Sequence, residues 1–518
     1  MNSRAIALAA LMLVSTVTVP VTAADGSSDI VEYGTDGQPS FLVTYDDGEF
    51  ASLQAWAESA PGYSIVENAT ADNTAVVSGP RYEVVAPTLL QNPLVALGGG
   101  TIAPMPLQSR SYVQSVDPNY RHALPEPVGA LASESDYEAP RSDWLVDGGF
   151  NTDGIAFDGD ANQSTIGAVA TDLNADQVAA DGSGVRVAVL DTGANVVNGT
   201  DDPLYGQRIV GARNFVTDQP AVASNDYANV SDGNGHGSWV LSSMAANATN
   251  NTYDGIALGA DYLVGKTLAD DGSGSTADIV DGIYWAEAQD ADLLSMSLGS
   301  AVYDESLADA LRHFVAGNGT AAFIAVGNSR MTRPAQIASP SDVPEPGIVS
   351  VAATNATNAS QAGPAYFSQT GSDNGYSDLS SGTTRGAGPD IAGPGMRVTV
   401  PVFSADGYRR NETLSGTSMS TPIVAAVGTL SLDARPDLEN DTDAFVSAVT
   451  NTTRPIPLAG TTEVGAGMVD AAKLVADNTS GTSQTDARTE PAQRRDQANR
   501  SLGLDWRFQA LRRIQVGI

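Results

Sequence analysis

The stretch VRVAVLDTGAN, Val185 to Asn195, decides the fold. An apolar run of strand length, interrupted only by Arg186, ends on Asp191 and turns at once through Thr192 and Gly193. A strand that is apolar on both faces belongs in a sheet covered from both sides, the usual setting of parallel strands. The same texture returns after Ala179 in DYLVGKTL, ADLLSMSLG, TAAFIAVGN and GIVSVAAT, each closing on small or polar residues. Helical stretches such as STADIVDGIYWAEAQ and ESLADALRHFVAG lie between them. Strands alternating with helices predict an α/β fold, a three-layer parallel sheet between helices. Ligands of such sheets bind beyond the carboxyl ends of the strands, where Asp191 and its counterparts stand.

The chain has 518 residues, 42% of them apolar, and a formal net charge of -35. Only Lys266 and Lys473 are lysines, against 24 arginines, and 46 of the 61 acids are aspartate. Such a surface repels phosphate, so no nucleic-acid partner is expected. It resembles the surfaces of proteins from salt-loving microbes, where salt screens the self-repulsion. With no cysteine, disulfides, thiol catalysis and Cys-based metal sites are excluded. Residues 1–24 carry one Arg, an apolar core and small residues before Ala24, the form of a secretory signal. No second run of spanning length follows, so the expectation is a secreted, monomeric protein without a transmembrane span.

Residues 25–120 read as a small α+β unit, with strand-like FLVTY, YSIVE, TAVVSG and YVQSV around the helical ASLQAWAES. Residues 121–163 are rich in Pro, Gly, Asp and Ser and read as a linker, and 164–477 hold the α/β domain. The tail 478–518 carries seven Arg against three Asp and one Glu, a local +3 on an acidic chain. Its GLDWRFQALRRIQ segment has helical spacing and predicts a helix that docks on the chain's own acidic domain or on a partner or acidic membrane surface.

SGTSMSTP, Ser415 to Pro422, runs directly into the apolar IVAAVGTLSL, so Ser418 is either a helix cap or a nucleophile. A serine becomes a nucleophile only with a base in reach, held in the right tautomer by a third group. Of the three histidines, His122 falls in the linker and His313 on a helix surface, while His236 sits in SDGNGHGSWV between glycines. Asp191, at a strand end, is the candidate carboxylate, and Asn328 in FIAVGNS is a candidate oxyanion donor.

Taken together, AVLDTG, GNGHGS, SMSLG, AVGN and GTSMSTP resemble, in order, the motifs of the subtilisin-like serine protease family. The resemblance covers about Ile166 to Asp477. It implies Asp191 as orienter, His236 as general base, Ser418 as nucleophile, and Asn328 with the Ser418 N–H as oxyanion donors. It also implies a substrate groove for polypeptides, with Gly272, Ser273 and Gly274 on one side and Ser297, Leu298 and Gly299 on the other. Ala325, Val326 and Gly327 would wall the pocket for the residue before the scissile bond, with apolar or aromatic preference. Pro422 is expected in the first helical turn. Residues 25–120 take the place of the family's inhibitory propeptide, with Tyr112–Tyr120 as the strand lying in the groove.

Two positions depart from the family's Gly-Thr-His-Val-Ala-Gly: Trp239 stands for its second histidine and Ser242 for its last glycine. Structural Ca²⁺ is common in the family. Asp201 or Asp202 is a candidate ligand here, but the sequence assembles no full set of oxygens. Two readings from other classes stand beside the peptidase: a catalytically silent binding protein on the same fold, and a peptide ligase or cyclase.

Overall fold

The computed structural model describes residues 40–59, 63–79, 110–125 and 162–476, apart from short stretches inside these spans. The expected signal segment 1–24, the basic tail 478–518 and most of the expected 121–163 linker lie outside the described residues.

The N-terminal part is a four-stranded antiparallel sheet. Strands β1 (Ser40–Tyr45), β2 (Ser64–Ala69), β3 (Thr74–Ser78) and β4 (Val113–Pro118) take the order β2-β3-β1-β4, with helix α1 (Phe50–Ser59) between β1 and β2 in sequence. Phe41 and Val43 of β1 and Val77 of β3 alternate inward, and they meet Leu53 and Trp56 of α1 in a small core. A short strand β5 (Arg121–Ala123) then leaves this sheet.

The larger part opens with β6 (Ser164–Thr165) and α2 (Ile166–Asp172). It continues through β7 (Arg186–Asp191), β8 (Ile209–Asn214), β9 (Gln219–Val222), α3 (His236–Ala245), β10 (Asp261–Lys266) and β11 (Ser273–Ser275). Next come α4 (Thr276–Ala288), β12 (Leu293–Met296), α5 (Glu305–Ala316), β13 (Ala321–Ala325) and β14 (Ile348–Asn355). Short strands β15 (Tyr376–Ser377) and β16 (Thr384–Arg385) pair with each other, and β17 (Ile391–Met396) returns to the main sheet. Strands β18 (Val398–Phe403) and β19 (Arg409–Leu414) lead to the long helix α6 (Thr417–Ala434). Helix α7 (Thr442–Asn451) follows, and short helices end the described chain.

The central sheet runs β17-β14-β13-β12-β7-β10-β8-β9, parallel except for β9. Its strands send alternate residues to two cores. Val187 and Val189 of β7 enter the core that holds α3 and α6, while Ala188 and Leu190 enter the core that holds α4 and α5. This period-2 division of an all-apolar strand is what makes three layers. Helix α6 is buried from Thr417 to Leu432, and a helix that is apolar around its circumference belongs in the interior. Among the described residues no helix is long and apolar enough to cross a membrane.

Candidate active site

Strand β7 delivers Asp191 at its carboxyl end, where it is buried and accepts a hydrogen bond from the Thr192 N–H at 2.7 Å. His236 is the first residue of α3, and its Nδ1 lies 2.8 Å from Asp191 Oδ1. The approach needs glycine beside the histidine. A Cβ on Gly237 would stand 2.2 Å from the Gly193 carbonyl, inside contact distance. Burial works to lower the His236 pKa, but the charge and hydrogen bond of Asp191 and the charge of Asp232 outweigh it. The ring is held above its ordinary value.

Ser418 is the second residue of α6 and is buried. Its Oγ is directed to the Ser297 carbonyl at 3.5 Å and makes no hydrogen bond to His236 in this structure. Asn328 follows β13, and its Oδ1 accepts from both the N–H and the hydroxyl of Thr417 at 2.9 Å. A backbone N–H must meet an oxygen, so this pair fixes the amide orientation and turns Nδ2 the other way. Nδ2 lies over Gly416, where a built Cβ would meet it at 3.3 Å.

Pro422 is the sixth residue of α6, in the second turn and not in the first turn that the sequence predicts. It has no N–H for the carbonyl four residues back, which is that of Ser418. The Ser297 hydroxyl fills the gap, donating to the Ser418 carbonyl at 2.9 Å.

The groove residues of the sequence analysis come together around β5. Strand β5 pairs antiparallel with β11, in the register Ser273 to Ala123, Gly274 to His122 and Ser275 to Arg121. On the other side Ala123 and Gly299 exchange two backbone hydrogen bonds of 3.3 and 3.1 Å. The Leu124 N–H donates to the Gly272 carbonyl at 2.9 Å. Gly274 has no space for a side chain, since a Cβ would lie 2.3 Å from the Thr267 carbonyl. Leu298 turns into the core beside Leu307 and Leu311, which leaves Gly299 to present backbone. Ala325 and Val326 are buried, Val326 in the same core as α6, and the Gly327 N–H donates to the Thr417 hydroxyl at 3.2 Å.

The strand in the groove differs from expectation. Val113–Pro118, inside the predicted Tyr112–Tyr120 strand, pairs with β1 in the N-terminal sheet, and the segment held between β11 and Gly299 is Arg121–Ala123. RHALPEP carries no apolar alternation because its pairing is through the backbone, so it read as linker. His122 is accordingly not a linker residue but is fully buried. His313 lies on α5 with its side chain 55% exposed, and its Nδ1 meets Glu287 at 2.8 Å.

Asp232 is the residue the sequence analysis missed. Buried four positions before His236, it takes the Thr192 hydroxyl at 2.9 Å, the Gly235 N–H at 2.7 Å and the Asn234 N–H at 3.1 Å. Its other oxygen takes the N–H and hydroxyl of Ser238 at 2.8 and 2.7 Å. One carboxylate thus ties the Asp191 turn to the start of α3. Its only sequence signal is an Asp-Gly pair, which also reads as a turn.

Trp239 is fully buried, and its Nε1 donates to the Glu412 carbonyl of β19 at 3.1 Å, so it joins α3 to the β18–β19 pair. Ser242 is buried and its Oγ has no hydrogen-bond partner. Among the described residues no group of three or more His, Asp or Glu gathers as a metal cage. Both Asp202 oxygens take backbone N–H groups, of Val197 and of Leu204, and Asp201 lies outside the described residues.

A model of the subtilase family matches residues 182–493. Alkaline elastase YaB from Bacillus sp. is 34% identical over 297 residues, 56% of this chain and 64% of that protein. Subtilisin Savinase from Lederbergia lenta is 32% identical over 262 residues, covering 50% of this chain and 80% of that one. M-protease from Shouchella clausii is likewise 32% identical, with 57% of its length covered, so the chain spans under two thirds of several of its relatives. Fervidolysin from Fervidobacterium pennivorans, a keratinolytic enzyme related to subtilisin, shares the fold. Its TM-score is 0.60 at 19% identity, covering 88% of this chain and 62% of that one.

Proposed function

The chain belongs to the subtilase family, and we propose that it is a secreted, self-maturing serine endopeptidase acting as a monomer. The observation that carries the reading is the 2.8 Å bond between the buried Asp191 carboxylate and His236 Nδ1. It holds the tautomer in which Nε2 is the base. In this mechanism the Ser418 side chain turns away from the Ser297 carbonyl to bond that nitrogen. Such bonds are often loose before substrate binds.

Ser418 Oγ then attacks the peptide carbonyl while its proton passes to His236 Nε2. Asn328 Nδ2 and the Ser418 N–H, at the start of α6, hold the oxyanion. Collapse breaks the C–N bond, and His236 returns the proton to the leaving amine. Water, activated by the same histidine, releases the acyl group. No step uses a metal ion, and structural calcium stays part of this reading without assigned ligands.

The N-terminal part serves, in this reading, as an intramolecular inhibitor, its β5 strand occupying the groove that will take substrate. Backbone pairing gives affinity there with limited sequence demand. For the residue before the scissile bond we propose apolar or aromatic side chains.

The test is an intact-mass time course of the full chain in high salt, beside Ser418→Ala. The wild type should lose about its N-terminal quarter and then degrade casein, while the variant stays whole. If both stay intact and inert, the peptidase reading fails. Joined peptide products would point to ligation instead.

A further inference from the structure

We propose that Asp304 and Thr276 form a buried acidic pocket that selects a cationic side chain on the peptide lying in the groove, at the position opposite Gly274. As a statement about substrate it rests on the peptidase reading; as a statement about binding it does not.

Arg121 and Ala123 of β5 are exposed, and His122 between them points inward and is fully buried. Its Nε2 lies 2.9 Å from Asp304 Oδ2 and 3.2 Å from the Thr276 hydroxyl. Thr276 Oγ1 also bonds Asp304 Oδ2, and Asp304 Oδ1 accepts the Leu307 N–H at 3.2 Å, capping α5. No Lys or Arg pairs with Asp304 among the described residues. Arg312, on the same helix, is committed to Glu305, Asp309 and Glu345 and to the Tyr303 hydroxyl.

When a peptide takes the place of β5 and covers the pocket again, Asp304 is a buried carboxylate facing one hydroxyl and one N–H. A buried charge in that state is strongly disfavoured unless a counter-charge enters. His122 fits incompletely, because its Nδ1 is buried with no partner. An ammonium or guanidinium at the same place would bring a full positive charge and further donors. The pocket lies on the strand that pairs with the groove's occupant, since Thr276 directly follows β11. A peptide in the register of β5 must therefore place one side chain against Asp304.

The binding test uses the full chain with Ser418→Ala, so that cleavage plays no part. Hydrogen exchange of the Ala123 and Leu124 amides reports groove occupancy, because Gly299 and Gly272 protect them. His122→Arg and His122→Lys should keep or increase that protection, and His122→Leu should speed exchange at least tenfold. In Asp304→Asn, which keeps the cap, the Arg and Leu variants should become alike. Equal protection for His122→Leu and His122→Arg beside an intact Asp304 overturns the pocket.

The substrate arm compares peptides carrying Arg, Lys, Leu or Glu at each upstream position, cleaved in trans by wild type and Asp304→Asn. One position should favour Arg or Lys over Leu at least tenfold in kcat/KM, and the Asn variant should bring that ratio towards one. A ratio that Asp304→Asn leaves intact refutes the assignment. If no peptide is cut while the exchange pattern holds, the peptidase reading has failed and the pocket has not.

Discussion

The hydroxyl of Ser297 donates to the carbonyl of Ser418 at 2.9 Å, the bond that Pro422 cannot make. Ser297→Ala leaves that buried carbonyl without its donor. The expected cost is about 1–3 kcal/mol of stability, together with a lower kcat, since on the proposed mechanism the helix start carries the nucleophile. Urea unfolding in a Ser418→Ala background measures the first quantity. A change of only a few tenths would show that the proline is accommodated by other means.

Asp232 raises the His236 pKa through its charge, beside the larger contribution of Asp191 and against burial, which lowers it. On the proposed mechanism His236 is the base and acts only when neutral, so activity should rise as pH climbs through this raised pKa. Asp232→Asn should move that acid limb of kcat/KM to lower pH. Melting curves must accompany the profile, since Asp232 also fixes Gly235 and Ser238. A limb that stays put, or moves up, would remove Asp232 from the electrostatics of the site.

On the proposed mechanism Asn328→Ala removes one oxyanion donor, and kcat should fall about 100- to 1,000-fold with KM little changed. A loss confined to KM would mean that Asn328 contacts the ground state alone, or only braces Thr417 through the two 2.9 Å bonds.

Asp117 of β4 has a raised pKa, caused first by burial, offset in part by Ser115, and raised further by Asp304, Asp309 and Glu305 of the α5 region. A carboxyl shifted upward in the folded state contributes stability that is fully present below its ordinary value. That contribution is lost as pH rises through the folded pKa. Docking of the N-terminal sheet should therefore weaken from acid towards neutral pH, and Asp117→Asn should flatten the dependence and raise the neutral-pH midpoint. Thermal melts of the Ser418→Ala chain across pH decide it. A steeper dependence in Asp117→Asn would contradict the assignment.

The net charge of -35 predicts stability that grows with salt. The Debye length falls from about 10 Å at 0.1 M to about 3 Å at 1 M, and self-repulsion falls with it. Melting temperature should climb over that range and beyond. A flat profile would mean the acids are locally compensated.

The placement of Asp191, His236, Ser418 and Asn328 after apolar strands or at helix starts was legible, because such junctions leave marks in a linear pattern. The three-layer order was legible for the same reason. A strand such as β13, AAFIA, is apolar throughout only when both of its faces are buried. Arg121–Ala123 left no mark, because a strand held by backbone bonds to Ser273–Ser275 and Gly299 needs no side-chain period. Asp232 and Asp304 looked like two more acids in a chain with 46 aspartates. Local sequence thus determined the elements and the residue types that could react. Long-range packing alone decided which carboxylate meets which histidine, Asp191 with His236 and Asp304 with His122. A buried charge is stable only beside its partner, and that partner is chosen by the folded chain.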